Sequence, residues 1–144
     1  MAIYGRIRVL YGDTDQMGQA YYGNYLKWFE AGRGEWFRQK GMTYRALEEQ
    51  GYYLPVIEAY CRYLKPAYYD DLLCIATSAS MPSPARLKFT YHIYKESADG
   101  RCSEVEKIAE GYTVHAFLNS SKKPTRSPAF LRELISQDGE GETP

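Results

Sequence analysis

The segment from Tyr11 to Asn24 carries the side chains best suited to acid–base or nucleophilic chemistry. It contains Asp13 and Asp15, and a stretch with helical periodicity follows it. A carboxylate in a short loop before a helix can act as a general base on water or as a nucleophile, and Asp15 has this position. The same Asp-Thr-Asp pattern also fits an aspartate that only stabilises a turn. Asp13 would point to the opposite side of an extended loop, so we expect it to accept hydrogen bonds within the loop.

The predicted helix offers a second functional group, its unpaired N–H groups. Helix-opening amides have no intrahelical partner and lie at the positive end of the helix dipole, so they can bind a developing oxyanion. Gly18, Tyr22 and Gly23 lie just before this helix, and the two glycines could also serve only to permit a tight turn. Asn24 is predicted to be the N-cap, because its side chain can accept from the first-turn amides.

Glu58 is a carboxylate in the apolar strand predicted at residues 53–64. A carboxylate in such a strand needs a partner or a raised pKa. Two interpretations remain open. Glu58 could assist Asp15 in the pocket of a neighbouring subunit, or it could lie on the solvent face beside a basic residue.

Two basic clusters could bind a phosphorylated ligand, since Lys and Arg pair well with phosphate. Such charges are equally common on an ordinary protein surface. The first cluster begins a predicted strand and consists of Arg86 and Lys88. The second lies in the loop after the last strand and consists of Lys122, Lys123 and Arg126.

Other patterns disfavour metal, disulfide and serine-hydrolase chemistry. His92 and His115 lie in strands without a partner at metal-ligand spacing, so both are predicted to be structural, and no metal is expected. No Gly-x-Ser-x-Gly elbow occurs in the sequence. The three cysteines, Cys61, Cys74 and Cys102, are widely spaced and predict reduced, mostly buried thiols.

The composition fits one small domain without a nucleic-acid or membrane role. The 144 residues suit a single domain, expected at residues 1–136 with a disordered tail at 137–144. Lys plus Arg and Asp plus Glu both number 18, which argues against a non-specific nucleic-acid binder. The longest apolar stretch, residues 72–79, is too short to span a bilayer, and the N-terminus lacks a signal-peptide core. A cytoplasmic location is therefore expected.

The periodicity of the sequence predicts an α+β domain in two layers. Strands are predicted at residues 3–11, 53–64, 72–80, 86–95 and 104–118, and helices at 24–40, 43–50 and 130–135. The last four strands follow one another through short connections, which predicts an antiparallel meander. The long helix has aromatic residues along one face, so it is expected to lie against the sheet.

The loop and the helix start resemble the signature of the hotdog-fold acyl-CoA thioesterases, in the 4-hydroxybenzoyl-CoA thioesterase-like branch. The matching residues there are Asp15, Gly18, Tyr22, Asn24 and Tyr25. Further matches are Glu35, Gly41, the run Tyr63-Leu64-Lys65-Pro66-Ala67 and the pair Asp70-Asp71. Many relatives have His at the place of Tyr22, whereas the 4-hydroxybenzoyl-specific branch has Tyr.

This resemblance implies a five-stranded antiparallel sheet wrapped around a long central helix, and hydrolysis of acyl-CoA thioesters without a cofactor. It implies that Asp15 is the essential aspartate and that the backbone N–H of Tyr22 or Gly23 polarises the thioester carbonyl. Gly18 and Asn24 are assigned to the substrate site, and CoA would bind near the basic clusters, between subunits. A homodimer that pairs its sheets edge to edge is implied, and it would assemble further into a homotetramer.

Two other functions fit the same fold. The first is a non-catalytic module that binds acyl-CoA or regulates, which would bind the ligand without turning it over. The second is an acyl-thioester dehydratase, which usually needs a histidine paired with an acid, and no histidine lies near Asp15 in the sequence. Acyl carrier protein could replace CoA as the carrier of the acyl group.

Overall fold

The computed structural model describes residues 2–97, 100, 102 and 106–139. This part of the chain forms five strands and three α-helices. In chain order they are β1 (Ile3–Arg8), α1 (Asn24–Gln39), α2 (Tyr44–Glu49), β2 (Val56–Tyr63), β3 (Leu72–Ser83), β4 (Arg86–Lys95), β5 (Lys107–Ala116) and α3 (Ala129–Gly139). The predicted α+β class and the predicted five-stranded antiparallel sheet are confirmed.

The sheet has the order β1-β3-β4-β5-β2, with every neighbouring pair antiparallel. The predicted meander holds for β3, β4 and β5, but the prediction that β2 pairs with β3 is wrong. β2 crosses to the far edge and pairs with β5, with Tyr60 opposite Tyr112. The connection from β2 to β3 is not a hairpin, because the loop before α1 binds it: the Ala20 N–H donates to the Ala67 carbonyl at 2.7 Å. β1 and β2 are therefore the two edges of the sheet.

Helix α1 packs its aromatic face on the inner face of the sheet. Phe29 and Trp36 are fully buried, and the Phe29 ring stacks on Tyr91 of β4 with 4.2 Å between centroids. The helix approaches β3 most closely at Gly32, where a Cβ would lie 2.6 Å from the Thr77 hydroxyl oxygen. This close contact with β3 explains a glycine inside the helix.

Several element ends differ from the predicted ones. β1 ends before residue 11 because Tyr11–Asp13 forms a 3-10 turn. β3 continues past Pro82 to Ser83 through a shift in its register with β4. α3 continues to Gly139, so residues 137–139 of the predicted tail are helical, and residues 140–144 lie outside the described part. The hairpin turn predicted at residues 97–101 lies largely outside the described residues.

Cys74 and Cys102 form a disulfide, so the prediction of three reduced thiols is wrong. Cys74 lies on the face of the sheet opposite α1, and the disulfide attaches Cys102 to it there. Arg6 holds the same connection, because its guanidinium donates to the Gly100 carbonyl at 2.7 Å. The two cysteines are 28 residues apart in sequence, and the fold brings them together. Since disulfides are rare in the cytoplasm, reduced thiols no longer support a cytoplasmic location.

A chain of hydrogen bonds crosses the core beneath α1. The buried His115 has its Nδ1 3.0 Å from the Leu54 carbonyl, so this nitrogen carries the proton, and Nε2 accepts from the Thr113 hydroxyl at 2.9 Å. Thr113 in turn accepts from the Tyr91 hydroxyl at 2.7 Å, and the Arg33 guanidinium donates to Tyr91 at 3.4 Å. His115 is therefore a hydrogen-bonded core residue, as predicted.

Candidate active site

Asp15 lies in the loop between β1 and α1, with one carboxylate oxygen engaged and the other free. Its Oδ1 accepts from the Met17 N–H at 2.9 Å, which makes an Asx turn. Oδ2 receives no hydrogen bond from any described residue. The Asp15 N–H donates to the Gln19 carbonyl at 2.9 Å, and Gly18 turns the chain with a φ of +80°. The turn-stabilising interpretation of Asp15 is thus confirmed for one oxygen, and the other oxygen faces no competing donor.

Asp13 fixes the same loop from below. It is 7% exposed, accepts from the Leu10 N–H at 2.9 Å and pairs with the Lys27 ammonium at 3.3 Å. Its main-chain carbonyl also accepts from the Tyr21 N–H at 2.8 Å. The prediction that Asp13 stabilises the loop is confirmed. The contacts of Asp13 therefore fix the loop that carries Asp15.

Asn24 ties the helix to this loop, and the prediction that it is the N-cap is wrong. It is the first residue of α1, and the cap position belongs to Gly23, which has no side chain to cap with. The Asn24 side-chain amide donates to the Asp13 carbonyl at 2.8 Å. A side-chain cap is not needed here, because the amides of the first two helical residues already donate to carbonyls just before the helix.

The amides of Tyr22 and Gly23 are free at the start of α1. No backbone carbonyl in the described part of the chain accepts a hydrogen bond from either N–H. Gly23 has a φ of −63°, so a turn does not require glycine there. The Tyr21 ring requires it instead, since a Cβ on Gly23 would lie 2.7 Å from a ring carbon. The tight-turn explanation thus holds for Gly18, and close packing explains Gly23.

A cavity of about 280 Å³ adjoins these groups. The Asp15 loop, the start of α1 and the end of β2 line it, with Asp15, Met17, Tyr22, Tyr25, Tyr63 and Lys65 among its residues. Of the residues predicted for the site, the cavity brings Asp15 and Tyr22 together. Gly18, Gly23 and Asn24 do not line it.

Eight of the ten residues that line this cavity were not predicted as site residues, and three of these with polar side chains are Tyr25, Tyr63 and Lys65. The sequence marked Tyr63 and Lys65 only as part of a strand-and-turn pattern. Burial raises the pKa of Tyr25 above its ordinary value. The meander prediction missed these residues because it placed β2 beside β3, whereas β2 lies at the far edge of the sheet, where Tyr63 contacts Tyr22 at the start of α1.

Glu58, Arg86 and Lys88 lie on the outer face of the sheet, away from Asp15. The Tyr112 hydroxyl donates to the Glu58 carboxylate, and the Lys88 ammonium lies 4.6 Å from the centre of the same Tyr112 ring. Within one chain, Glu58 therefore has the solvent-facing position, and its neighbours are a tyrosine and a lysine. The two basic residues are at the surface but are not brought to the Asp15 cavity.

The second basic cluster lies at the opposite end of β2 from Asp15. Lys122 lines an apolar cavity of about 310 Å³ together with Tyr53, Leu54 and Leu118. Arg126 lines a different cavity beside Arg132, and the Lys123 N–H donates to the Asn119 side chain. Within one chain the three cations are thus spread over two separate places, and none lies at the Asp15 cavity.

In residues 2–97, 100, 102 and 106–139, no three His, Cys, Asp or Glu side chains form a group that could hold a metal ion. No helix in these ranges is long and apolar enough to cross a membrane.

The curved sheet around α1, with a carboxylate loop at the start of the helix, defines a hotdog-fold protein of the thioesterase type. The thioesterase-like superfamily matches residues 9–135, so the chain belongs to that family. The resemblance drawn from the segment around Asp15 is therefore confirmed.

Named relatives agree with this assignment. The chain is 26% identical over 140 residues to the 1,4-dihydroxy-2-naphthoyl-CoA hydrolase of Thermosynechococcus vestitus. The aligned region covers 93% of this chain and 91% of that protein. It is 34% identical over 92 residues to the acyl-CoA thioesterase YbgC of Haemophilus influenzae, and this aligned region covers 63% of this chain and 68% of that protein. The crystal structure of the DHNA-CoA thioesterase from Staphylococcus aureus superposes with a TM-score of 0.84 at 26% identity, covering 99% and 97% of the two chains.

Proposed function

We propose that this protein hydrolyses acyl-CoA thioesters at the Asp15 cavity, releasing a carboxylic acid and CoA. One observation carries the proposal: the cavity combines a carboxylate that has a free oxygen with an unpaired main-chain amide at a helix start. Thioester hydrolysis needs both parts. A base or nucleophile must supply the attacking oxygen, and a donor must stabilise the oxyanion.

The Tyr22 amide is the proposed oxyanion donor. Tyr22 lines the cavity whereas Gly23 does not, and its N–H lies at the positive end of the α1 dipole. When oxygen attacks the carbonyl carbon, negative charge develops on the carbonyl oxygen, and the C–S bond then breaks to release the CoA thiolate. A tyrosine side chain in place of histidine does not impair this step, because the donor is main-chain.

Asp15 can supply the attacking oxygen in two ways. It can take a proton from an attacking water, or its free oxygen can attack and form a mixed anhydride that water then opens. A single turnover in ¹⁸O-labelled water tests for the anhydride. Label in the Asp15 carboxylate requires an anhydride that water opens at the Asp15 carbonyl. Label confined to the product acid excludes that opening, and it is expected both from the general-base route and from an anhydride opened at the acyl carbonyl.

We also propose that two copies pair through β2, since this long edge strand carries exposed apolar side chains. Those about half exposed are Val56, Ile57, Tyr60 and Tyr63. Such an edge is prone to pairing with another chain. An antiparallel two-fold pairing would place the Tyr63 end of one β2 opposite the Val56 end of the other, so the apolar cavity beside Lys122 in the partner would continue the Asp15 cavity.

This pairing supports a composite site in which the partner's apolar cavity holds the acyl group. It would also bring Lys122 of the partner to the substrate, although no basic residue of the second cluster reaches Asp15 within one chain. The Ile57→Lys variant is expected to elute as a monomer in size-exclusion chromatography and to lose activity. A monomeric variant with full activity would contradict the composite site. Tetramer formation, an acyl carrier protein substrate and a cytoplasmic location stay predictions.

The first experiment measures thiol release from a panel of acyl-CoA esters by the wild type, Asp15→Asn and Asp70→Asn. Asp70 is a matched control, because its side chain is exposed and asparagine also tolerates its φ of 72°. We expect Asp15→Asn to lose at least about a hundredfold in kcat, the scale of a general base or nucleophile, and Asp70→Asn to match the wild type.

Two results would overturn the proposal. If Asp15→Asn keeps wild-type turnover, the carboxylate is not catalytic. If the wild type binds acyl-CoA but releases no thiol from any ester, the protein is a binding module rather than an enzyme.

A further inference from the structure

Asn24 makes hydrogen bonds to both sides of the candidate active site. Its side-chain amide donates to the Asp13 carbonyl at 2.8 Å, 11 positions back in the chain, and its main-chain N–H donates to the Tyr21 carbonyl at 3.0 Å. The Asp13 carbonyl shares its plane with the Thr14 N–H, because a peptide unit is planar. The Tyr21 carbonyl shares its plane with the Tyr22 N–H for the same reason. One residue therefore contacts the peptide unit just before the proposed catalytic carboxylate and the peptide unit that carries the proposed oxyanion donor.

The bond to the Asp13 carbonyl links the main chain before Asp15 to helix α1. The Tyr21 N–H donates to the same carbonyl at 2.8 Å, but Tyr21 lies outside the helix. Asn24 is the first helical residue, so its bond ties this peptide unit to α1 itself. Only the two main-chain torsions of Thr14 separate this unit from the one that carries the Asp15 N–H. A shift of the unit away from α1 would therefore carry Asp15 with it.

We propose that Asn24 is a positioning residue for thioester hydrolysis, which sets the distance between the Asp15 carboxylate and the Tyr22 N–H. The inference rests on the proposed function. In that reaction the attacking oxygen must reach the carbonyl carbon while the amide bonds to the carbonyl oxygen, so the two groups must be held at one spacing. Asn24 does not line the cavity, so its side chain acts through the Asp13 carbonyl and not on the substrate.

The other contacts at the start of α1 favour this role. The Asn24 side chain is not needed to cap the helix, because the N-cap position belongs to Gly23. A second link between α1 and the loop is the ion pair of Lys27 with the Asp13 carboxylate at 3.3 Å, and the Lys27 side chain is 62% exposed. An exposed ion pair holds its partners weakly. The Asn24 amide is therefore the short, directional bond between the loop and the helix.

The kinetic test compares Asn24→Ala with Gln39→Ala in the whole chain. Gln39 is the last residue of α1, and its side-chain amide also donates to a main-chain carbonyl, that of Tyr4, at 3.2 Å. It controls for loss of an amide bond between α1 and a neighbouring segment. Misplacing a reacting group by about 1 Å can lower the rate about a hundredfold. We expect Asn24→Ala to lower kcat at least about tenfold with KM changed less than about twofold, and Gln39→Ala to match the wild type.

A second variant and an unfolding measurement separate positioning from instability. Asn24→Leu keeps most of the side-chain volume but has no donor, so it should lower kcat as much as Asn24→Ala. Urea unfolding of each variant defines the conditions in which it is folded, and kcat is measured there. A residue that only stabilises the fold would leave the kcat of the folded protein unchanged.

The carbonyl frequency of a bound ester shows which of the two groups has moved. An acyl-CoA ester labelled with ¹³C at the carbonyl is bound to Asp15→Asn, and its C=O stretch is recorded by isotope-edited infrared difference spectroscopy. The amide lowers this frequency when it points at the carbonyl oxygen. The main-chain bond from residue 24 to Tyr21 does not need the asparagine side chain, so the Tyr22 N–H keeps its direction. We expect the Asp15→Asn/Asn24→Ala double variant to have the carbonyl frequency of Asp15→Asn.

The outcomes are distinguishable. If the wild type hydrolyses acyl-CoA and either Asn24 variant has the wild-type kcat, the role of Asn24 is refuted and the proposed function stands. A lower kcat with a changed carbonyl frequency or a large change in KM also refutes it, because the helix start itself has then moved. If the wild type releases no thiol, the proposed function fails and the positioning role fails with it. A lower kcat with an unchanged frequency and a nearly unchanged KM supports both.

Discussion

The buried His115 predicts a specific loss of stability in mild acid. Burial, opposed by the hydrogen bond to Leu54 and assisted by the nearby Arg33, lowers the pKa of His115 to about 4. In the unfolded chain the pKa is about 6.5. Between these values the unfolded state binds more protons, so the free energy of unfolding falls as pH decreases. Stability from this residue is fully present above about pH 6.5.

The magnitude follows from the two pKa values. Between pH 7 and pH 5 the linkage relation gives a loss of about 2 kcal/mol from His115 alone. Protonation would also oppose the hydrogen-bond chain, because Nε2 accepts from the Thr113 hydroxyl and would have to become a donor. The Thr113 hydroxyl hydrogen would then lose its acceptor in the present arrangement.

The assay is urea unfolding at several pH values and one protein concentration, for the wild type and His115→Gln. Glutamine does not titrate, so the difference in unfolding free energy between the two proteins should shrink by about 2 kcal/mol from pH 7 to pH 5. A difference between wild type and His115→Gln that is constant with pH would refute the reasoning.

Three further perturbations have definite expected outcomes. Gly32→Ala should destabilise the protein by about 1–3 kcal/mol in urea unfolding, because the added Cβ would collide with side chains of β3. Gly34→Ala is the matched control: its Cβ would contact nothing within 4 Å, so it should stabilise the protein by up to about 1 kcal/mol. Equal effects of the two substitutions would contradict the close approach of α1 to the sheet at Gly32. Reducing the disulfide of Cys74 and Cys102 should lower the free energy of unfolding by about 3.5 kcal/mol, as a 28-residue separation predicts, and a Tm unaffected by reductant would exclude this. Gly111→Ala should reduce Tm sharply and weaken dimerisation, because its Cβ would overlap the neighbouring backbone of β2; a wild-type Tm would be inconsistent with the observed strand pairing.

Local signals in the sequence predicted most of the elements. The alternation of β4 gave its bounds at Arg86 and Lys95 correctly, and the helical spacing after Gly23 located α1 to within one residue. Both patterns depend only on residues close together in the sequence, so they can be recognised without knowing which segments pack against each other. The choice of Asp15 and Tyr22 depended on the family resemblance of one short segment, since both belong to the loop and start of one helix.

What the sequence could not predict depends on contacts between distant segments. The crossover of β2 to β5, the disulfide between Cys74 and Cys102, and the place of Tyr63 in the cavity all join residues far apart in the chain. A strand pattern specifies which residues face inward but not which strand lies next to it. Asn24 shows the same limit over a short distance. Its side chain could bond to the first turn of the helix or to the loop, and the folded conformation of the loop determines that it donates to the Asp13 carbonyl.

The crossover of β2 has a consequence for how the protein folds. The strands β3, β4 and β5 form local hairpins, whereas β2 pairs with a strand more than 40 residues away and β1 with one more than 60 residues away. Pairings that close long loops form late, because the chain loses more entropy before the contacts compensate. The Asp15 loop follows β1 directly, and Tyr63 ends β2, so the two sides of the cavity lie beside the two late strands. Appearance of thioesterase activity during refolding is therefore expected to lag behind formation of the central hairpins and to report completion of both edges.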